Sequence, residues 1–141
     1  MSRKVIEFMH RGITMQPPNA SLANLARAMR QKDIGAIPIV ENGKIVGMVT
    51  DRDIVIRGIA GDREFQKLTA KDIMSRDVVV CRETDTARSA AETMRKRKVR
   101  RLPVLNQGNT LTGMVSLGDI THSLPESKSG QLIKAVAEHH A

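Results

Sequence analysis

Two apolar stripes of identical spacing organise the chain. Leu22, Leu25, Ala26 and Met29 follow Ser21, and Ala87, Ala90, Ala91 and Met94 follow Thr86. Each is the i, i+3, i+4, i+7 pattern of a half-buried helix. A Ser or Thr just ahead of the stripe can cap the helix by accepting a first-turn amide. Pro17, Pro18 and Asn19 keep the preceding loop out of the first helix. The period then changes. Ile37-Pro38-Ile39-Val40 and residues 45–49, joined through Glu41-Asn42-Gly43-Lys44, read as a hairpin, because Asn-Gly is a strong turn signal. Residues 102–105 and 111–115 repeat it around a longer loop at Gln107-Gly108-Asn109. Pro38 and Pro103 are expected at strand starts, where an amide donor is dispensable. Upstream of each stripe stand a short apolar segment (residues 5–9 and 70–74, Thr69 capping the latter) and an extended piece predicted as a strand (12–15 and 77–81). A second helix is predicted to begin at Asp53 in one half and at Asp119 in the other.

Strand, helix, strand, strand, helix thus occurs twice. Met9 returns as Met74, Met29 as Met94 and Pro38 as Pro103, each 65 positions on. One extra residue near 107–109 makes the offset 66, carrying Gly47 to Gly113 and Asp53 to Asp119. Self-similarity of this kind marks one folding unit used twice. The division expected is a first repeat over 1–60, a polar connector over 61–68, a second repeat over 69–125 and a terminal helix or tail over 126–141. The tail helix should put Leu132, Ile133 and Val136 on one side, with Glu138-His139-His140-Ala141 frayed. Two like units packed face to face also offer two like clefts, a usual place for a ligand.

Composition narrows the picture. With two Phe and no Trp or Tyr in 141 residues, the core must be built from aliphatic residues and Met. A single cysteine excludes an internal disulfide and fits a reducing compartment. Apolar runs are too short to span a bilayer, so no membrane is expected and the location expected is cytoplasmic. Net charge is +8, which suits anionic partners without choosing among them.

Gly47-Met48-Val49-Thr50-Asp51-Arg52-Asp53-Ile54 and Gly113-Met114-Val115-Ser116-Leu117-Gly118-Asp119-Ile120 close the two hairpins. With the capped helix, the x-Pro-hydrophobic strand and the duplication, they make the chain resemble a tandem pair of cystathionine β-synthase (CBS) domains, the Bateman module. It looks most like small stand-alone bacterial two-CBS proteins of the hypoxic-response type. The resemblance covers residues 4–124 and implies an α/β (α+β) fold of two β-α-β-β-α repeats packed with pseudo-twofold symmetry. It also implies a homodimer stacked through exposed helical faces.

The motif has a chemistry of its own. Free amides at a helix start attract phosphate, a Thr or Ser hydroxyl adds a donor, and a carboxylate three residues on can accept from a ribose diol. Gly47 and Gly113 would let backbone approach closely. The family resemblance implies the same roles: Asp53 and Asp119 on ribose, Thr50 and Ser116 toward phosphate. The bland alternative is that the hydroxyls cap the second helix and the acids favour its dipole. Where the first half has Gly35-Ala36 the second has Arg100-Arg101. By resemblance Arg101, with Arg100 beside it, is the candidate phosphate clamp of the Asp119 site; Arg52 is the comparable cation at the other. The resemblance also assigns adenine walls to Ile13 for the Asp119 site and Val78 for the Asp53 site.

The leading function is then a regulatory adenine-nucleotide sensor for AMP, ADP or ATP, signalling through a protein partner and needing no cofactor. The alternative is a protein-interaction or stress-response scaffold with empty pockets. Nucleic-acid binding through Arg95-Lys96-Arg97-Lys98-Val99-Arg100-Arg101 is less favoured: no aromatic residue interleaves to stack on bases. His10, His122, His139 and His140 lack metal-site spacing apart from the terminal pair, Cys81 reads as a packing residue, and no nucleophile–base pair points to an enzyme.

Overall fold

The computed structural model describes residues 3–139, with side chains through Ala137. In chain order the elements are α1 (Leu22–Lys32), β1 (Ala36–Glu41), β2 (Lys44–Thr50), α2 (Asp51–Asp53, continued by a π-helical segment Ile54–Ile59) and α3 (Ala70–Ile73). There follow β3 (Cys81–Arg82), α4 (Ala87–Arg97), β4 (Arg101–Leu105), β5 (Leu111–Ser116), α5 (Leu117–Thr121) and α6 (Glu126–His139). Short 3-10 turns cover Val5–Glu7 and Phe65–Lys67.

Helices α1 and α4 start at their expected caps. Ser21 Oγ accepts from the Asn24 amide at 3.1 Å, and Thr86 Oγ1 from the Ser89 amide at 3.0 Å. Each ends on a left-handed residue, Asp33 (φ 53°) and Lys98 (φ 54°). α1 buries Leu22, Leu25 and Met29, and α4 buries Ala87, Ala90 and Met94. Ala26 is exposed; Ala28 packs on the core in its place.

The hairpins β1–β2 and β4–β5 are antiparallel. Asn42 (φ 53°) and Gly43 (φ 77°) are both left-handed, as a two-residue type I′ turn demands. The prolines sit inside their strands rather than at the starts. Pro38 lies opposite Met48 and Pro103 opposite Met114. Met48 turns its amide and carbonyl away to Ser75, and Met114 turns its own to His10, all at 2.9 Å. Each proline therefore occupies a pair that needs no donor.

Of the strands expected over 12–15 and 77–81, only Cys81 enters a strand. Pairing begins at Gln16, parallel to Ile39, and at Cys81, parallel to Val104. Pro18 has no amide to donate to the Val40 carbonyl and continue the first ladder, whereas its counterpart Glu83 donates to the Leu105 carbonyl at 3.1 Å. One sheet consequently has two strands (β1-β2) and the other three (β3-β4-β5). The second helix of each half starts earlier than expected, at Asp51 and Leu117, which makes Asp53 and Asp119 the third residues of their helices.

The chain folds as two compact units. One joins the N-terminal segment through Ile13 to everything from Val79 onward; the other is Thr14–Val78. Each repeat thus lends its opening segment to the hairpin of the other. The Thr14–Val78 core gathers Leu25, Ile37, Ile39, Val49, Ile73 and Met74. The other gathers Val5, Met94, Leu102, Val104, Val115 and Ile120, and α6 adds Leu132 and Val136. Ile133 does not join them and is 48% exposed, because it lies about 100° around a 3.6-residue helix from Leu132. Glu138 and His139 have no described side chains, and His140 and Ala141 lie outside the described residues. No helix among the described residues is long and apolar enough to cross a membrane.

Candidate functional site

Both hydroxyl–acid motifs fold into reciprocal capping boxes. Thr50 Oγ1 accepts from the Asp53 amide at 3.1 Å while Asp53 Oδ2 accepts from the Thr50 amide at 2.8 Å. Ser116 Oγ accepts from the Asp119 amide at 3.2 Å, and Asp119 Oδ2 from the Ser116 amide at 2.8 Å. The helix-capping reading therefore holds in full. It consumes one carboxylate oxygen of each acid and leaves Oδ1, together with the hydroxyl protons of Thr50 and Ser116. Thr69 and Asp72 build a like pairing at the start of α3, with the Thr69 amide on Asp72 Oδ2 at 2.8 Å, so the box alone does not single out a ligand site. The two motif carboxylates are more enclosed. Their side chains are 14% (Asp53) and 21% (Asp119) exposed, against 30% for Asp72.

The first-turn amides are less available to an anion than the motif suggests. Asp51 N–H donates to the Gly35 carbonyl at 3.0 Å and Leu117 N–H to the Arg100 carbonyl at 2.7 Å. The Arg52 amide is turned to Asp51 Oδ1 at 2.8 Å. At the Asp53 box, donation to an anion falls instead to the Thr50 hydroxyl and to side-chain cations.

Those cations are arranged unequally. Arg101 opens β4 directly across from Ser116 and is exposed; its counterpart facing Thr50 is buried Ala36. Cross-strand neighbours stand about 5 Å apart at Cβ, so Arg101 is within reach of the Ser116 box. Arg100 is exposed and contributes its carbonyl to the α5 start. Arg52 is exposed on α2, and Arg57, one turn on, is the cation that approaches Asp53, with Nε 3.8 Å from Oδ1. Arg57 also donates to the Ile73 carbonyl at 3.3 Å. The i, i+4 spacing of Asp53 and Arg57 was its available sequence signal.

His10 was hidden more deeply. It is 109 residues from Asp119, yet its Nε2 lies 3.0 Å from Asp119 Oδ1. Ile13 and Val78 are half-buried. Ile13 belongs to the same unit as Asp119, and Val78 to the same unit as Asp53.

Gly47 and Gly113 serve packing rather than a ligand. A Cβ at Gly47 would meet Met74 Sδ at 2.3 Å, and one at Gly113 would meet Met9 Sδ at 2.5 Å. The methionines of the exchanged segments fill that space. Cys81 is buried, and burial, helped by Asp85, pushes its thiol up to about 12. It packs as an apolar residue. Among the described residues no three His, Cys, Asp or Glu side chains gather as metal ligands. A groove of about 370 Å³ runs between α4 and α6, lined by Arg88, Glu92, Arg95, Lys128 and Leu132, and contains none of the motif residues.

Two mixed helix–sheet units, each closing its hairpin with the same hydroxyl–acid box, define a paired-repeat module. The CBS domain model matches residues 5–58 and 70–126. The chain belongs to the CBS domain family and carries the domain as a tandem pair. Hypoxic response protein 1 of Mycobacterium tuberculosis is 33% identical over 131 residues, covering 92% of this chain and 91% of that one. A crystal structure of Hypoxic Response Protein I with two coordinated zinc ions is 31% identical, with a TM-score of 0.77 over 86% of this chain and 98% of that one. The CBS domain pair of protein MJ0100, in complex with 5-methylthioadenosine and S-adenosyl-L-methionine, is 26% identical. Its TM-score is 0.77, over 86% of this chain and 95% of that one.

Proposed function

We propose that this chain is a regulatory CBS pair that binds an adenine nucleotide (AMP, ADP or ATP) and acts as an energy or stress sensor through a protein partner. The observation that carries the reading is the repeated box: an enclosed carboxylate held by the backbone, with one oxygen left over beside a hydroxyl. That is a fixed acceptor for a ribose diol. The adenosyl ligands of the MJ0100 pair, a relative of the same fold, support the class of ligand. Arg101 makes the Asp119 site the better one for a charged nucleotide, since charge-assisted bonds from Arg are about twice as strong as neutral ones. Arg100 adds charge beside it, and Ile13 and Val78 are assigned to the adenine faces of the Asp119 and Asp53 sites.

Binding to the folded state alone raises stability by RT ln(1 + [L]/Kd), about 2.7 kcal/mol at a hundredfold excess over Kd. The test titrates AMP, ADP, ATP and their 2′-deoxy forms and follows the melting temperature. A rise with ribonucleotides, reduced about tenfold or more in affinity for the deoxy sugar and weakened by Arg101→Ala, is expected. No rise with any adenosine derivative would refute the sensor.

We further propose that the protein is a homodimer joined through the apolar stripe of the Ile54–Ile59 segment, where Val55, Ile56 and Ile59 are 53%, 50% and 57% exposed.

A further inference from the structure

His10 and Ser75 hold the same place in the two repeats, 65 positions apart. Both are fixed by paired backbone bonds to the opposing strand, His10 to Met114 and Ser75 to Met48, all at 2.9 Å. The main chain is alike and the side chain is the difference. Where Ser75 stands in one unit, the other has an imidazole whose Nε2 rests 3.0 Å from Asp119 Oδ1, the oxygen that the capping box leaves over. At Asp53 the corresponding oxygen faces the Arg57 guanidinium at 3.8 Å, a group that stays charged at every pH of interest.

We propose that His10, when protonated, competes with the sugar hydroxyls of a nucleoside for Asp119 Oδ1. Ligand binding at Asp119 is then proton-linked and binding at Asp53 is not. The inference rests on the nucleotide reading of the Asp119 site and adds its regulation. A neutral imidazole and a sugar hydroxyl make comparable bonds to a carboxylate, so exchanging one for the other costs little. An imidazolium makes a charge-assisted bond about twice as strong, which an entering diol must break or share. The ring is 70% exposed, so it can swing aside without opening the core.

The surrounding charged groups are otherwise engaged or lie outward. Arg11 turns its guanidinium to the Ile6 carbonyl at 3.3 Å, and Glu7 takes the Lys4 amide at 2.7 Å. On α5, His122 Nδ1 rests on the Gly118 carbonyl at 2.7 Å. On β4, Arg101 is exposed opposite Ser116. Asp119 is the acid that meets the His10 ring.

The experiment titrates AMP and adenosine into the full chain by calorimetry at about pH 8 and about pH 5.5, spanning the range in which imidazoles titrate. His10→Ser, which installs the side chain of the equivalent position, and His10→Gln, which keeps a neutral donor, are measured in parallel. Adenosine separates the effect from ionisation of the AMP phosphate. Wild type is expected to bind adenosine about threefold to fivefold more weakly in acid and to release on binding about a quarter of a proton per ligand, averaged over that range, as linkage requires for a change of that size. Both variants should bind it equally at the two pH values and release none. Identical pH dependence in wild type and both variants, with adenosine bound, overturns the role of His10 and leaves the nucleotide reading standing. Absence of binding by all three proteins at both pH values removes the nucleotide reading and this inference together.

Discussion

A methyl group added at Gly113 would stand 2.5 Å from Met9 Sδ, 2.9 Å from Met9 Cγ and 3.1 Å from the His10 carbonyl. A methionine can bend away, but the backbone oxygen is held by the Met114 amide. Gly113→Ala is therefore expected to destabilise the protein by about 1–3 kcal/mol, the ordinary cost of overpacking a filled core, as read by urea unfolding. An unchanged midpoint would show that the N-terminal segment does not sit where Met9 puts it. At this scale the sequence was only partly informative. Thr50, Asp53, Ser116 and Asp119 were legible as a pair of motifs because a three-residue spacing is local. The purpose of the two glycines was not, because the atoms that need their space arrive from another part of the chain. His10 was lost for the same reason: no periodicity links it to Asp119.

Among the short elements, α3 shows how an N-terminal acid stabilises a helix too brief to stand alone. The Thr69 amide holds the Asp72 carboxyl below its ordinary range, against the opposing effect of desolvation, with smaller help from the Thr69 hydroxyl, Arg63 and Lys71. A carboxyl depressed in the folded state contributes stability above its unfolded pKa, and that contribution disappears as pH falls through the folded value. Asp72→Asn should then lose stability near neutrality and show a shallower decline on acidification, measured by thermal melts across the acid range. An unaltered acid profile would remove Asp72 from the account. Thr69→Ala should cost about 1 kcal/mol. The long helices and hairpins were readable in advance because caps, stripes and an Asn-Gly turn are all local signals. The edge strands were misread because a β-branched run says nothing about whether a partner backbone lies alongside, and Pro18, lacking an amide, ends one ladder after a single bridge.

For the molecule as a whole, the stripe of Val55, Ile56 and Ile59 leaves apolar area in water that a second copy would cover. Charging it tests the proposed dimer. Ile56→Glu is expected to yield a monomer by sedimentation velocity with the fold intact by circular dichroism, because the side chain is half exposed and its replacement leaves the core untouched. A variant that sediments like wild type would place any self-association elsewhere. The duplication was plain in the sequence at offsets of 65 and 66, yet the offsets count along the chain. They do not reveal that each hairpin is completed by the opening segment of the other repeat.

That exchange has a practical corollary for anyone dividing the gene. Scissors placed in the polar connector, where the repeats meet on paper, would sever Met74 and Ser75 from the hairpin they complete and strand Val5 and Met9 without theirs. The piece that carries a whole interior with it is residues 14–78, which begins and ends inside what a linear map would draw as two different modules.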